Sequence, residues 1–213
     1  MRKLHLINAT GKKSSIQINY TKVLIMTISL MLIGIFLMAI QKLKICFMKL
    51  KEIYNKIHLI VKTTPSSMHS FYELRQVMDD GKFCLTTVDT IFKEAEFRQY
   101  IKAWQESNED GMMAVTDYID DEKPLYIATT QDLTITGFHD EVPQHYISGG
   151  IYGLNEKSFP VIDKCIKEGQ SRMRNFQRQL VKDGLQLKAY PFSKILDVDH
   201  VSDIEKAEAF LSD

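Results

Sequence analysis

Net charge is what this sequence lacks. Lysine and arginine total 27 of 213 residues and aspartate and glutamate also total 27, so the formal charge is zero. Without a broad basic field, nothing holds nucleic acid by neutralising its phosphates. A nucleotide or a small phosphate ester suits this balance better. Cysteine is scarce as well. Cys46, Cys84 and Cys165 lie far apart and form no Cys-x-x-Cys, which argues against a zinc site or a disulfide framework and fits a reducing compartment. No internal repeat or low-complexity tract occurs. No nucleophile elbow or serine triad is present, and Gly11-Lys12-Lys13-Ser14 lacks the upstream glycine of a phosphate loop. His139 and His145 flank acidic residues, but their spacing fits no helical His-x-x-x-His pair and Pro143 interrupts them. A surface loop is expected there rather than a metal cluster.

The remaining composition, 45% hydrophobic and 25% charged, is that of an ordinary globular chain. One long apolar run does exist. Residues 23–40 carry no charge over eighteen positions, with Lys12, Lys13 and Lys22 before them and Lys42, Lys44, Lys49 and Lys51 after. That length just spans about 30 Å of hydrocarbon as a helix, and a buried core helix is the alternative. Residues 1–22 read as a basic leader with a possible strand at 4–7, and residues 41–56 as a linker or an interfacial helix.

From residue 57 to 213 strands alternate with helices, which predicts one mixed α/β domain. Strands are expected at 58–61, 83–88, 113–116, 125–129, 133–138, 146–154, 185–190 and 195–198. A helix ending near Met78 carries a capping-box pattern at Ser70 and Glu73. Phe97, Tyr100, Ile101 and Trp104 fall at helical spacing, as do the apolar residues of 159–167 and 171–182, the latter closed by Gly184. Ser202 and Glu205 form a second capping box for a last helix striped by Ile204, Ala207 and Leu211.

Two segments put aspartates where a buried strand runs out: Phe83-Cys-Leu-Thr-Thr-Val-Asp89-Thr90, and Ile195-Leu-Asp197-Val-Asp199-His-Val-Ser202-Asp-Ile-Glu205. In an open α/β sheet, ligands bind at the carboxyl ends of the strands, so such carboxylates can share one divalent cation. Thr90 would cap the next helix, and capping is the alternative role for Asp89. Ser148-Gly149-Gly150-Ile-Tyr152-Gly153 places three glycines in a strand, through close approach of a ligand or a bulge. Ser66 and Ser67 open a helix and either cap it or attract an anion. Arg172, Arg174 and Arg178 lie along one helix, as a solvated surface or a phosphate contact.

Strand-then-Asp89, the Ser-Gly-Gly-Ile-Tyr-Gly segment and the closing Asp197-Val-Asp199-His-Val-Ser-Asp-Ile-Glu-Lys-Ala-Glu-Ala together resemble the nucleotidyltransferase family. This family includes the sugar-1-phosphate nucleotidyltransferases and the molybdenum-cofactor guanylyltransferase-like proteins, and the likeness covers residues 57–213. His200, Val201 and Ser202 replace the family's usual Thr-Pro-Glu. The resemblance implies a Rossmann-like mixed sheet flanked by helices. It also implies transfer of a nucleotidyl group from a nucleoside triphosphate to a phosphorylated acceptor, with release of pyrophosphate. By that analogy Asp89, with Asp199 or Asp197, holds Mg²⁺, Ser66 and Ser67 lie near the nucleotide, and Gly149 and Gly150 lie near the acceptor. A cytoplasmic location follows, with the domain in the cytosol if residues 23–40 cross a membrane.

One family feature is missing. No Gly-x-Gly-x-Arg loop followed by a Lys-Pro occurs in the chain. This implies that the first βαβ portion has been lost or replaced, leaving strand edges unpaired and transfer negligible. Two other readings stand beside it. One is a metal-dependent glycosyltransferase of related fold, although Ile91 stands where its second aspartate would fall. The other is a non-catalytic, membrane-tethered binding module.

Overall fold

The computed structural model describes residues 3–7, 14–19, 58–119, 123–198 and 200–212. The apolar run at 23–40 and the linker at 41–56 fall outside the described residues. Among the described residues no helix is long and apolar enough to cross a membrane.

The sheet is built on two strands of near-continuous burial, β4 (Phe83–Thr87) and β6 (Gly111–Thr116). Strands that read as unbroken apolar runs are covered on both faces. Between them lies β9 (Tyr146–Leu154), antiparallel to both. Alternation along each strand divides the core. Phe83, Leu85, Met113 and Leu154 pack on one face against α1 (Ser67–Arg75), α3 (Ser158–Lys167) and α4 (Met173–Lys182). Cys84, Met112, Ala114 and Ile151 pack on the other against α2 (Glu94–Glu106). Each fully buried large apolar side chain contributes roughly 1.5–3 kcal/mol.

The helix stripe read from Phe97, Tyr100, Ile101 and Trp104 is buried as expected. Its two polar tips are satisfied by the sheet. Trp104 Nε1 donates to the Phe83 carbonyl at 3.0 Å, and the Tyr100 hydroxyl donates to the Met112 carbonyl at 2.7 Å. Gly153 makes room for them, because a Cβ there would lie 2.9 Å from both the Trp104 ring and the Tyr100 hydroxyl.

The remaining strands are β1 (Lys3–Ile7), β2 (Ser14–Asn19), β3 (His58–Val61), β7 (Tyr126–Thr129), β8 (Ile135–His139) and β10 (Leu187–Pro191). The main order is β10-β6-β9-β4-β1-β2-β3, with β7 paired to β9 and β8 to β7. The N-terminal strands differ from the expectation of a leader. β1 runs parallel to β4, with Leu4 beside Cys84 and Ile7 beside Thr87, so the edge of β4 expected to be unpaired is covered. Ladder hydrogen bonds make that pairing favourable, because an open mid-sheet edge leaves backbone groups unsatisfied. β1, β3, β4, β6 and β10 all point the same way, so their carboxyl ends share one rim.

Several expected boundaries shift for local reasons. Helix α1 begins a turn before the Ser70 and Glu73 pattern; Ser70 bonds Thr64 at 2.6 Å, and Glu73 pairs with Lys62. Helix α4 begins at Met173, two residues later than expected, and Gly184 closes it with φ +83° and an N–H to the Val181 carbonyl. The last helix, α5 (Val201–Ser212), starts one residue before Ser202, so the expected box is replaced. Asp203 instead accepts the His200 N–H at 2.9 Å. Phe210 and Ala207 are buried on α5, while Leu211 is exposed.

Asp110 ties the sheet's far rim together. It accepts from the Gln186 N–H at 3.1 Å, from Asn155 at 3.3 Å and from Lys157 at 2.7 Å. Burial works to raise its pKa, but these hydrogen bonds and the Lys157 charge outweigh that and hold the carboxyl below the ordinary 3.8. A carboxylate stabilised in this way contributes stability that is present above its unfolded value and is lost as pH falls through its folded value. Asp110→Ala is expected to cost about 1–3 kcal/mol at neutral pH. In denaturant titrations, the variant should also lose less stability than the parent as pH drops below about 4.

Candidate functional site

The rim at the carboxyl ends of the strands is crossed by a two-stranded ribbon, β5 (Thr90–Ile91) paired antiparallel to β11 (Leu196–Asp197). Thr90, expected to cap a helix, lies in this ribbon instead, and α2 starts after Lys93. The expected strand at 195–198 shortens to its two central residues.

The ribbon brings the two aspartate segments together. Asp197 is the register partner of Thr90, and the Thr90 hydroxyl donates to Asp197 Oδ1 at 3.0 Å. The Val198 N–H donates to the Asp89 carbonyl at 3.0 Å. Thr87 Oγ1 is bonded in turn to Thr90 Oγ1, so a chain of hydroxyls runs from the end of β4 to the Asp197 carboxylate. Asp199 lies outside the described residues. Among the described residues no group of three or more His, Cys, Asp and Glu side chains is placed to hold a metal ion. Two carboxylates still suit Mg²⁺, which commonly uses one or two together with waters and substrate phosphates.

Gly149 and Gly150 admit the ribbon. A Cβ on Gly149 would strike Ile195 Cδ1, and one on Gly150 would lie 2.7 Å from Thr90 Oγ1. Gly150 also has φ +72°, a left-handed conformation that side-chain-bearing residues avoid. The close approach foreseen at these glycines is therefore made by the chain's own ribbon. The register of β6 on β9 shifts between Met113 and Val115 at the same level, which is how a bulge re-aims a strand end.

Tyr152 reports the electrostatics beneath the ribbon. Burial first, then the negative charges of Asp197 and Asp89, push its phenol up to about 12, against the lowering effects of Ser148 and Gln177. It remains a neutral hydroxyl near the carboxylates at every physiological pH. Gln177 is 1% exposed, and among the described residues its Oε1 has no hydrogen-bond partner. Gln177 and Thr87 were not singled out in the sequence, and Tyr152 entered only as part of its glycine segment. Only the Thr-Thr run before Asp89 carried a signal that could have found one of them.

The other expected site residues lie further round the rim. Ser66 is the residue before α1, its Oγ 2.8 Å from His69 Nδ1, and it also accepts the Arg172 N–H at 3.3 Å; Ser67 opens the helix. Thus the α1 and α4 starts adjoin. Arg174 and Arg178 are engaged internally, contacting Asp140 at 2.5 and 2.6 Å. Burial works to raise the Asp140 pKa, but the two guanidinium groups hold it below the ordinary range. They pin the 139–145 loop rather than a ligand.

Gly150→Ala is expected to lift the ribbon by forcing its Cβ against Thr90. Amide exchange at Val198 should accelerate by about tenfold or more, the equivalent of roughly 1–2 kcal/mol of strain in the left-handed conformation. Global unfolding should change less than this local opening.

No family model and no curated protein sequence matches the chain. Solved structures do resemble it. An inositol-1-phosphate CTP transferase from T. maritima superposes with TM-score 0.57 and 18% identity, covering 66% of this chain and 59% of that one. A putative glucose-1-phosphate thymidylyltransferase from Bacillus anthracis, in complex with a sucrose, gives 0.57 and 16% over 68% of this chain and 61% of that one. A UDP-glucose pyrophosphorylase complexed with UDP-glucose gives 0.57 and 16% over 67% of this chain and 61% of that one. The chain thus spans about three fifths of the length of these proteins. Over 66–68% of its own length, this chain has the fold of sugar-phosphate nucleotidyltransferases.

Proposed function

We propose that the chain is a nucleotidyltransferase-type protein that binds a nucleoside triphosphate and a phosphorylated acceptor such as a sugar 1-phosphate. The reaction of this class joins the acceptor phosphate oxygen to the α-phosphorus and breaks the bond to pyrophosphate. The observation that carries the reading is the pairing of Thr90 with Asp197, which brings the Asp89 and Asp197 segments to one place on the ligand-binding rim. The similar structures, which act on inositol 1-phosphate, glucose 1-phosphate and UDP-glucose by their descriptions, support the substrate class.

Asp89 and Asp197, joined by Asp199, would hold Mg²⁺, which supplies charge neutralisation on the α-phosphate and on the departing pyrophosphate. The protein's own groups position what is bound. The Thr90 hydroxyl donates to Oδ1 of Asp197 and orients that carboxylate. Tyr152 stays protonated and adds no competing negative charge. Ser66 and Ser67, at the start of α1 where the start of α4 adjoins it, would lie toward the nucleotide's phosphates. Gly149 and Gly150 border the acceptor side. In this chemistry, positioning and electrostatic complementarity supply most of the acceleration.

The phosphate loop decides how fast the chain can turn over. After β1 the sequence reads Asn8-Ala-Thr-Gly11-Lys12-Lys13 in place of Gly-x-Gly-x-Arg. Fewer glycines mean fewer backbone N–H groups able to cradle a triphosphate. Binding is therefore expected without rapid transfer.

Calorimetry with each nucleoside triphosphate should show binding that requires Mg²⁺. Asp89→Ala and Asp197→Ala should each weaken it about tenfold or more, the effect of losing one charge-assisted contact. Pyrophosphate release with candidate sugar 1-phosphates should stay negligible. Mg²⁺-independent binding, or binding indifferent to both substitutions, would remove the basis of this reading.

A further inference from the structure

The last stretch of chain is thinly packed for one that carries a site residue. Its root is fixed: Phe192 and Ile195 are buried in the core beneath α2, and the Ser193 N–H and hydroxyl donate to Glu96 at 2.8 and 3.0 Å. Beyond that root, only Leu196, Ala207 and Phe210 are buried among the described side chains of residues 196–212, while Val201 is 84% exposed. Helix α2, by contrast, buries Phe97, Tyr100, Ile101 and Trp104. A segment with few buried apolar contacts belongs to the low-stability end of a fold.

This stretch is attached at its two ends. Near the root are the two ribbon pairs, the Thr90 hydrogen bond to Asp197 and the Val198 N–H on the Asp89 carbonyl. At the far end is the Phe210 ring, with Lys93 Nζ 5.5 Å and Lys194 Nζ 5.2 Å from its centre. An ammonium group within about 6 Å of a ring centre is attracted to the ring. Lys93 follows β5 and Lys194 precedes β11, so α5 doubles back onto the two segments that form the ribbon.

We propose that residues 196–212 form a strap that opens and closes as one unit, latched by Phe210, and that closing it brings Asp197 to the Asp89 segment. The strap deepens the proposed function, on which it rests only for what closure accomplishes. From Val201 to Phe210 the chain is continuous helix, a rod of about 14 Å. Lifting the rod at the ribbon pulls the ring from the lysines, and freeing the ring lets the rod carry Asp197 away. Asp197 belongs to the strap, whereas Asp89 and Thr90 follow β4 in the body of the sheet. A cation held by both carboxylates binds the closed form alone, so latch and cation act on one equilibrium.

Amide hydrogen exchange of the full, isotopically labelled chain tests the strap at two amides, Val198 by the ribbon and Ala207 in α5. Phe210→Leu, which keeps an apolar side chain but removes the ring, should accelerate both about tenfold. Gly150→Ala, which strains the ribbon, should accelerate Ala207 by the same factor as Val198. Amides of β4 and β6 should keep the parent's rates in both variants. Acceleration at one of the two amides without the other overturns the strap, as does no acceleration at either or acceleration that extends equally to β4 and β6. Mg²⁺ and a nucleoside triphosphate, each in about tenfold excess over its dissociation constant, should slow both amides of the parent about tenfold. Coupled acceleration in the variants with no slowing by these ligands upholds the strap and overturns the proposed function.

Discussion

Four residues hold the candidate site together: the pairing of Thr90 and Ile91 with Asp197 and Leu196. Thr90 and Asp197 are 107 positions apart, so bringing them into contact requires a large loop to close. That closure entropy is met by the sheet between them rather than by the ribbon's own few hydrogen bonds. The ribbon can form only where the sheet beneath it allows close approach. Gly149 and Gly150 provide that allowance, one lacking a Cβ where Ile195 packs and the other holding a left-handed turn under Thr90. The position of the carboxylates is thus a consequence of the central sheet's packing.

The same logic explains why the rim is polar above an apolar core. Below it, β4 and β6 are sealed on both faces, and the Phe83 and Met112 carbonyls accept from Trp104 and Tyr100. At the end of β4 the side chains change to Thr87 and Asp89, both half-buried, and to the buried Thr90. Tyr152 and Gln177 lie on the boundary between these zones. A phenol held neutral by burial beside two carboxylates is tolerable only because it does not ionise. The arrangement concentrates negative charge at one place.

Much of this was legible in the sequence, and the failures have physical causes. The α2 stripe was readable because Phe97, Tyr100, Ile101 and Trp104 face one core at helical spacing, and the Gly184 closure was readable because αL geometry favours glycine. The two aspartate segments were legible as strand ends, and the ribbon brings them together. β5 was not legible, because a two-residue strand has no periodicity and is defined by a partner over a hundred positions away. The possible strand read at 4–7 corresponds to β1, but it was placed in a leader because its role comes from pairing with β4, far away in the sequence. Ser202 misled because α5 begins a residue earlier than its capping pattern suggests, and Leu211 because the helix packs through Ala207 and Phe210 instead.

The central claim is that acids from two remote segments serve one divalent cation at the ribbon. Titrating the isotopically labelled protein with Mn²⁺ tests this most directly, since the paramagnetic ion broadens only nearby amide resonances. The account predicts that Asp89, Thr90, Asp197 and Val198 broaden first and together, and that Mg²⁺ in excess restores them. Broadening that begins instead at exposed acids such as Asp132 or Asp183, with the ribbon unaffected, would contradict it.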